Sequence, residues 1–277
     1  MILLDGKKLS QKILDEVKQE TTATKKKLRL AIVVVGENPV VKKFIEQKKK
    51  AADQIGAGVR IYPFDEKITT NELRKRLFEI VHEKKNTGVI IQLPLPTHIN
   101  TPYILNSVTP EKDIDMLSAR AIGNFAVGQS PIIPPVVGAL KFLLEEYQID
   151  YQQKSVVIVG AGNLVGKPTA LWLLGKKATF TVVEERTPHP EELISKAGIL
   201  ITGVGKPGFI RGDMVKNGVI VIDAGTSESA GRLVGDVDFK SVSKKASYIT
   251  PVPGGIGPLT VAMLFKNLVT LAKIQKS

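Results

Sequence analysis

The stretch that most constrains this 277-residue chain is KSVVIVGAGNLVGKPTALWLLGKKATFTVVEER, Lys154 to Arg186. An apolar β-branched run, Val156–Val159, leads into glycines at Gly160, Gly162 and Gly166, with Asn163 and Val165 between them. A helical apolar segment, Ala170–Leu174, follows. A second strand, Thr179–Val183, ends on Glu184, Glu185 and Arg186. Strand, glycine turn, helix, strand and acid is the order of a dinucleotide-binding βαβ unit. Glycines let backbone N–H groups approach a pyrophosphate, and a helix N-terminus favours the anion. The spacing is GxGxxxG, one residue longer than the usual fingerprint. A glycine-rich turn in an α/β core with nothing bound is the competing reading.

The rest of the chain alternates in the same way, which predicts an α/β protein built on parallel sheets. Leu28–Val35, Val59–Phe64, Val89–Leu93, Ile199–Thr202 and Val219–Ile222 read as strands. Helices are predicted over Leu9–Thr22, Val41–Gln54, Asn71–Lys84 (capped by Thr69 or Thr70, with Glu72 near its start), Val137–Tyr147, Leu193–Lys196 and Leu259–Ile274. Pro131–Pro135 reads as a linker. The loops Gly203–Pro207, with Val204 and Gly205, and Asp223–Gly225 should gather at the nucleotide edge of the second sheet.

Several residues stand where a parallel sheet places its sites, at the carboxyl ends of strands. Phe44 and Lys48 share one helix face just after the first strand and turn. Lys48 is read either as a site residue or as a surface lysine of its KKK run. Gln92 closes a strand before two prolines, as a site residue or as an amide satisfying loop backbone. Asp113 and Asp115 flank Ile114; either reads as a ligand contact or as turn chemistry. Thr250–Pro258, with Pro251, Gly254 and Gly255, reads as a backbone-lined ligand loop or a rigid connector.

Composition narrows the function classes. There is no cysteine, which removes disulfides, Cys–zinc sites and thiol nucleophiles, and no metal site is expected. The net charge of +12 is shared by both halves of the chain, and the basic clusters Lys25–Lys27 and Lys48–Lys50 read as solvated helix faces. Aromatic content of 5% reads against a nucleic-acid surface; a small acidic ligand suits the charge better. No apolar run is expected to span a membrane, and the start, MILLDGKKLS, lacks signal-peptide order.

VGENP…K at Val35–Lys48, GVIIQLPLPTHIN at Gly88–Asn100, PEKDID at Pro110–Asp115, LVGKP at Leu164–Pro168, VGKPGFI at Val204–Ile210, LVGDVDF at Leu233–Phe239 and ITPVPGGIGPLTVAML at Ile249–Leu264 occur in that order. On these motifs the chain resembles, nearly end to end, the bifunctional methylenetetrahydrofolate dehydrogenase/methenyltetrahydrofolate cyclohydrolase family. The resemblance implies an N-terminal α/β substrate domain (residues 1–137 with 259–277), a C-terminal Rossmann-like doubly wound sheet (138–258), and a cleft between them. It implies oxidation of 5,10-methylenetetrahydrofolate with NAD or NADP, hydrolysis of the methenyl product to 10-formyltetrahydrofolate, and a cytoplasmic homodimer joined through the Rossmann domain. It assigns Lys48, Gln92 and Asp115 to catalysis and to holding the pterin. Phe44, Pro251, Gly254 and Gly255 fall to the substrate, and the 160–166 turn, Glu184, Arg186, Val204 and Gly205 to the cofactor.

The chain departs from the family pattern at informative places. The family tyrosine one turn before the lysine is Phe44, its serine is Val41, the glycine after KDxD is Met116, and a threonine after the linker is Val136. An Arg-Ser pair in the glycine turn becomes Ala161-Gly162, and His-Ser after the next strand becomes Glu184-Glu185. These changes favour NAD over NADP and a weakened cyclohydrolase step. A non-catalytic folate- or nucleotide-binding paralogue, or a dehydrogenase for another one-carbon carrier, are the alternatives.

Overall fold

A computed structural model describes residues 1–24, 26–229 and 232–275. Lys25, of the basic cluster 25–27, lies outside them. The strands are β1 (Ile2–Leu3), β2 (Arg29–Val35), β3 (Gly58–Phe64), β4 (Gly88–Ile91), β5 (Val156–Val159) and β6 (Phe180–Val183). They continue with β7 (Ile199–Thr202), β8 (Ile220–Asp223), β9 (Ser227–Ser229), β10 (Arg232–Val234) and β11 (Tyr248–Ile249). The helices are α1 (Gly6–Thr24), α2 (Pro39–Ile55), α3 (Thr70–His82), α4 (Thr101–Leu105) and α5 (Ala119–Ala126). Then come α6 (Pro135–Glu146), α7 (Gly166–Gly175), α8 (Pro190–Ser195), α9 (Phe239–Val242) and α10 (Ile256–Ile274).

The chain divides into two compact units, Met1–Ser10 with Val136–Thr260, and Gln11–Pro135 with Val261–Ser277. In the second, β3-β2-β4 form a three-stranded sheet, parallel throughout. Ala31, Val33 and Val35 alternate along β2 and bury one face against Leu73, Leu77, Ile80 and Val81 of α3. Helix α3 starts on a capping box, with Thr69 accepting the Glu72 N–H and Glu72 accepting the Thr69 N–H.

The other unit holds a six-stranded parallel sheet, β1-β11-β8-β7-β5-β6. Strand order reverses at β5, leaving β6 on one side and β7 and β8 on the other, so the doubly wound switch point lies between β5 and β7. β5, β7 and β8 are buried on both faces, which is why they read as unbroken apolar runs.

Residues 1–10 group by contact with the six-stranded sheet. Ile2 and Leu3 pair with Tyr248 and Ile249, so the edge of β11 gains the hydrogen-bond partners a bare strand lacks. And one stretch does have the length and apolar composition of a membrane span: α10. Yet 61% of it is buried inside the fold, the behaviour of a core helix. Its Leu268 lies against Gly88, and its Asn267 donates to the carbonyls of Ile114 and Ile133.

Candidate active site

In the three-stranded unit, Asn38 Oδ1 accepts the Val41 N–H at the start of α2. The helix then carries Phe44 half-buried and, one turn on, Lys48 only 9% exposed. Strand β4 delivers Gln92 just beyond its last residue, where the Gln92 N–H still pairs with the Val33 carbonyl. Lys48 Nζ donates to Gln92 Oε1 at 2.9 Å, and Gln92 Nε2 donates to the Leu93 carbonyl, which fixes the amide's orientation. Lys48 is therefore not a member of a solvated lysine run. Burial pulls its pKa down from the usual lysine range, against the opposing charge of Asp115.

The two acids separate by role. Asp113 bridges to Val89, and its carboxylate accepts the N–H groups of Ser118 (2.8 Å) and Leu117 (3.3 Å). It builds the turn that enters α5. Among the described residues no hydrogen bond reaches the Asp115 carboxylate, and burial pushes its pKa up to about 6, with Lys48 pulling it down and Asp113 pushing it up. Met116 adopts φ 55°, the left-handed region a glycine enters without strain, and its side chain is buried at 1% exposure. Its bulk therefore goes into the interior, not onto an open surface. Val136, at the start of α6 in the other unit, is likewise buried.

In the six-stranded unit the glycines differ in necessity. Gly160 has φ +100°, and a Cβ there would lie 2.8 Å from Val204 Cγ1. A Cβ on Gly166 would overlap the Gly160 carbonyl oxygen, so α7 approaches β5 only because that position is bare. Gly162 faces open space with Asn163 exposed beside it, and no side chain caps the first turn of α7. Bare backbone, a cleared approach and an uncapped helix start fit a pyrophosphate. Val165 abuts Gly203, and Val204 and Gly205 (φ +71°) follow on the neighbouring loop.

At the end of β6, Glu184 folds onto its own turn: its carboxylate accepts the Arg186 N–H at 3.2 Å. Glu185 reaches Lys206 at 3.4 Å across exposed surface. Gly254 (φ +109°) accepts the Lys7 N–H, and a Cβ on Gly255 would lie 2.6 Å from the Pro251 carbonyl oxygen. The loop of Pro251, Gly254 and Gly255 is thus anchored to the N-terminal residues as well as leading into α10. Among the described residues no group of three or more His, Asp or Glu side chains could hold a metal.

Residue by residue, the sequence placed Asp223 at the nucleotide edge only as part of a loop, and Asp236 behind it was not singled out. Asp223 and Asp236 are buried among Thr202, Val204, Gly225 and Thr250. The signal was present in LVGDVDF, where Asp236 follows Gly235.

Two family models cover almost the whole chain. Residues 4–115 match the tetrahydrofolate dehydrogenase/cyclohydrolase catalytic domain, and residues 134–276 match the NAD(P)-binding domain of the same family. The chain belongs to the tetrahydrofolate dehydrogenase/cyclohydrolase family. The bifunctional protein FolD of Nautilia profundicola is 45% identical over 278 residues, covering 99% of this chain and 98% of that protein. The crystal structure of the Campylobacter jejuni bifunctional enzyme FolD superposes with a TM-score of 0.93 at 40% identity, covering 99% of each chain. The Trypanosoma brucei FolD structure, complexed with NADP cofactor and an inhibitor, gives a TM-score of 0.93 at 32% identity, over 99% of this chain and 98% of that one. Family membership makes the six-stranded unit an NAD(P)-binding domain and a folate the substrate.

Proposed function

We propose that this chain oxidises 5,10-methylenetetrahydrofolate to the 5,10-methenyl cation with NAD(P)+, and hydrolyses that cation to 10-formyltetrahydrofolate. The observation that carries the reading is Lys48, buried, hydrogen-bonded to Gln92 and charge-coupled to Asp115, in a chain that also carries the 160–166 turn. The bound nicotinamide supplies the hydride acceptor. Gly160, Gly162, Asn163, Val165 and Gly166 hold its pyrophosphate, with Val204 and Gly205 on the adjacent loop. Asp115 accepts hydrogen bonds from the pterin amino groups, and Phe44 contacts the folate.

In the second step water adds to the methenyl carbon and loses one proton; the bond from that carbon to N5 then breaks as the carbinol hydroxyl becomes the formyl carbonyl and its proton passes to N5. Burial leaves a larger share of Lys48 as the free amine than an exposed lysine would have, which suits it to take or relay that proton. Gln92 Oε1 holds its Nζ in place. Phe44 brings no hydroxyl to this step, so we place the hydrolysis below the rate a tyrosine at that position would allow.

We further propose NAD as the preferred cofactor. Ala161 and Gly162 offer no side-chain donors to a ribose 2′-phosphate, and Glu184 and Glu185 put carboxylates where β6 meets the ribose. A carboxylate suits a free 2′-hydroxyl. We also place the enzyme in the cytoplasm as a homodimer joined through the NAD(P)-binding unit. The β9–β10 ribbon supports the dimer: two strands alone are marginal in water and gain from pairing with a copy. Light scattering reads the mass directly, and a monomer would refute that part.

The activity test is methenyl formation by absorbance with each cofactor. The expected result is turnover with both and a kcat/KM at least about tenfold higher with NAD. A preference for NADP overturns the cofactor assignment; no product with either overturns the enzyme reading.

A further inference from the structure

At the carboxyl edge of the six-stranded sheet two carboxylates are buried together. Asp223 ends β8 at 3% exposure, and Asp236, just after β10, is fully buried. Among the described residues neither forms an ion pair; every partner is a neutral donor. Asp236 accepts the Thr202 hydroxyl (3.0 Å), the Val204 N–H (2.7 Å) and the Lys206 N–H (3.0 Å). Asp223 accepts the N–H groups of Gly225 (2.8 Å), Asp236 (3.2 Å) and Val237 (2.9 Å).

Two glycines make room for the pair. A Cβ on Gly225 would overlap the Asp236 carboxylate, and one on Gly235 would overlap that of Asp223. Burying uncompensated charge is costly, and burial holds the Asp223 carboxyl up at about 6. The arrangement ties three separate segments, the loop after β7, the loop after β8 and the turn after β10, into one block.

Those loops have a defined place relative to the ligand. A doubly wound sheet binds its dinucleotide outside the strand ends, one mononucleotide to each side of the switch point. The acid-tipped β6 takes the adenosine side. β7 and β8 lie across the switch point, so their loops meet the nicotinamide half.

We propose that Asp236, braced by Asp223, is a positioning residue for the nicotinamide end of the cofactor: its carboxylate sets the backbone of Val204, on the loop after β7 that this ring packs against. The inference rests on the proposed NAD(P) chemistry and deepens it. A neutral amide in place of the carboxylate keeps one acceptor oxygen but turns an NH2 toward a backbone N–H, so the loop after β7 must shift.

The test compares two ligands that differ by the nicotinamide ring alone, NAD+ and ADP-ribose, titrated calorimetrically into wild type, Asp236→Asn and Thr202→Val. Asp236→Asn should raise the Kd for NAD+ about tenfold, as loss of hydrogen bonds to a charged acceptor implies, and leave that for ADP-ribose within about twofold. Thr202→Val removes one hydroxyl donor without touching the acid and should shift the same ratio about threefold, which keeps the test alive if the Asn variant does not fold. Equal losses for both ligands, or unchanged NAD+ affinity in a folded Asp236→Asn, would overturn the positioning role while leaving the enzyme reading intact. A wild type that binds neither NAD+ nor NADP+ would overturn both.

Discussion

Phe44 stands one turn before Lys48 on α2 and carries no hydroxyl. Adding it should raise methenyl hydrolysis in Phe44→Tyr by about tenfold or more, a part of the roughly 10²–10⁴-fold that general acid–base assistance is worth, with NAD(P)H formation within about twofold. Stopped-flow decay of the methenyl absorbance reads this. An unchanged rate would mean the missing hydroxyl does not limit the step. Asp115 sets a pH dependence with a definite sign. Burial pushes its carboxyl up to about 6, so the charged form, proposed to receive the pterin, dominates above that pH. kcat/KM for the folate should be flat from about 7 to 8 and fall about tenfold per unit below 6, and Asp115→Asn should lack that acid limb. At this scale the sequence was half legible. Helical spacing put Lys48 beside Phe44, but only the hydrogen bonds of Asp113 to Leu117 and Ser118 separate the turn-building acid from the open one.

At the scale of elements, the glycine turn between β5 and α7 yields the sharpest contrast. Gly166→Ala places a methyl on the Gly160 carbonyl and should abolish NAD binding. Ala161→Arg with Gly162→Ser should fold normally, because a Cβ on Gly162 meets nothing, and should move kcat/KM toward NADP by about tenfold or more. Kinetics with both cofactors on the two variants checks this; intact binding in Gly166→Ala would contradict the turn's role. The long strands and helices were legible because parallel strands buried on both faces read as apolar runs, and amphipathic helices carry a 3.6-residue period. β1, β9, β10 and β11 were not, since two or three residues hold no periodicity, and β1 and β11 pair with strands far away in sequence. Ile2 finds Tyr248 only once the sheet exists.

For the whole molecule, the two proposed reactions rest on different residues. Hydride transfer relies on alignment and on the backbone turns of the NAD(P)-binding unit. Hydrolysis, in the proposed mechanism, relies on Lys48 with Gln92 and Asp115 in the other unit. The two chemistries should therefore come apart under a single substitution. The most direct measurement follows NAD(P)H and methenyltetrahydrofolate together during turnover of Lys48→Met. NAD(P)H formation should stay within a few-fold of wild type while the methenyl product accumulates, its hydrolysis down by about 10² or more. Hydrolysis at the wild-type rate in that variant would contradict this division, as would parallel loss of both activities in a variant that still folds.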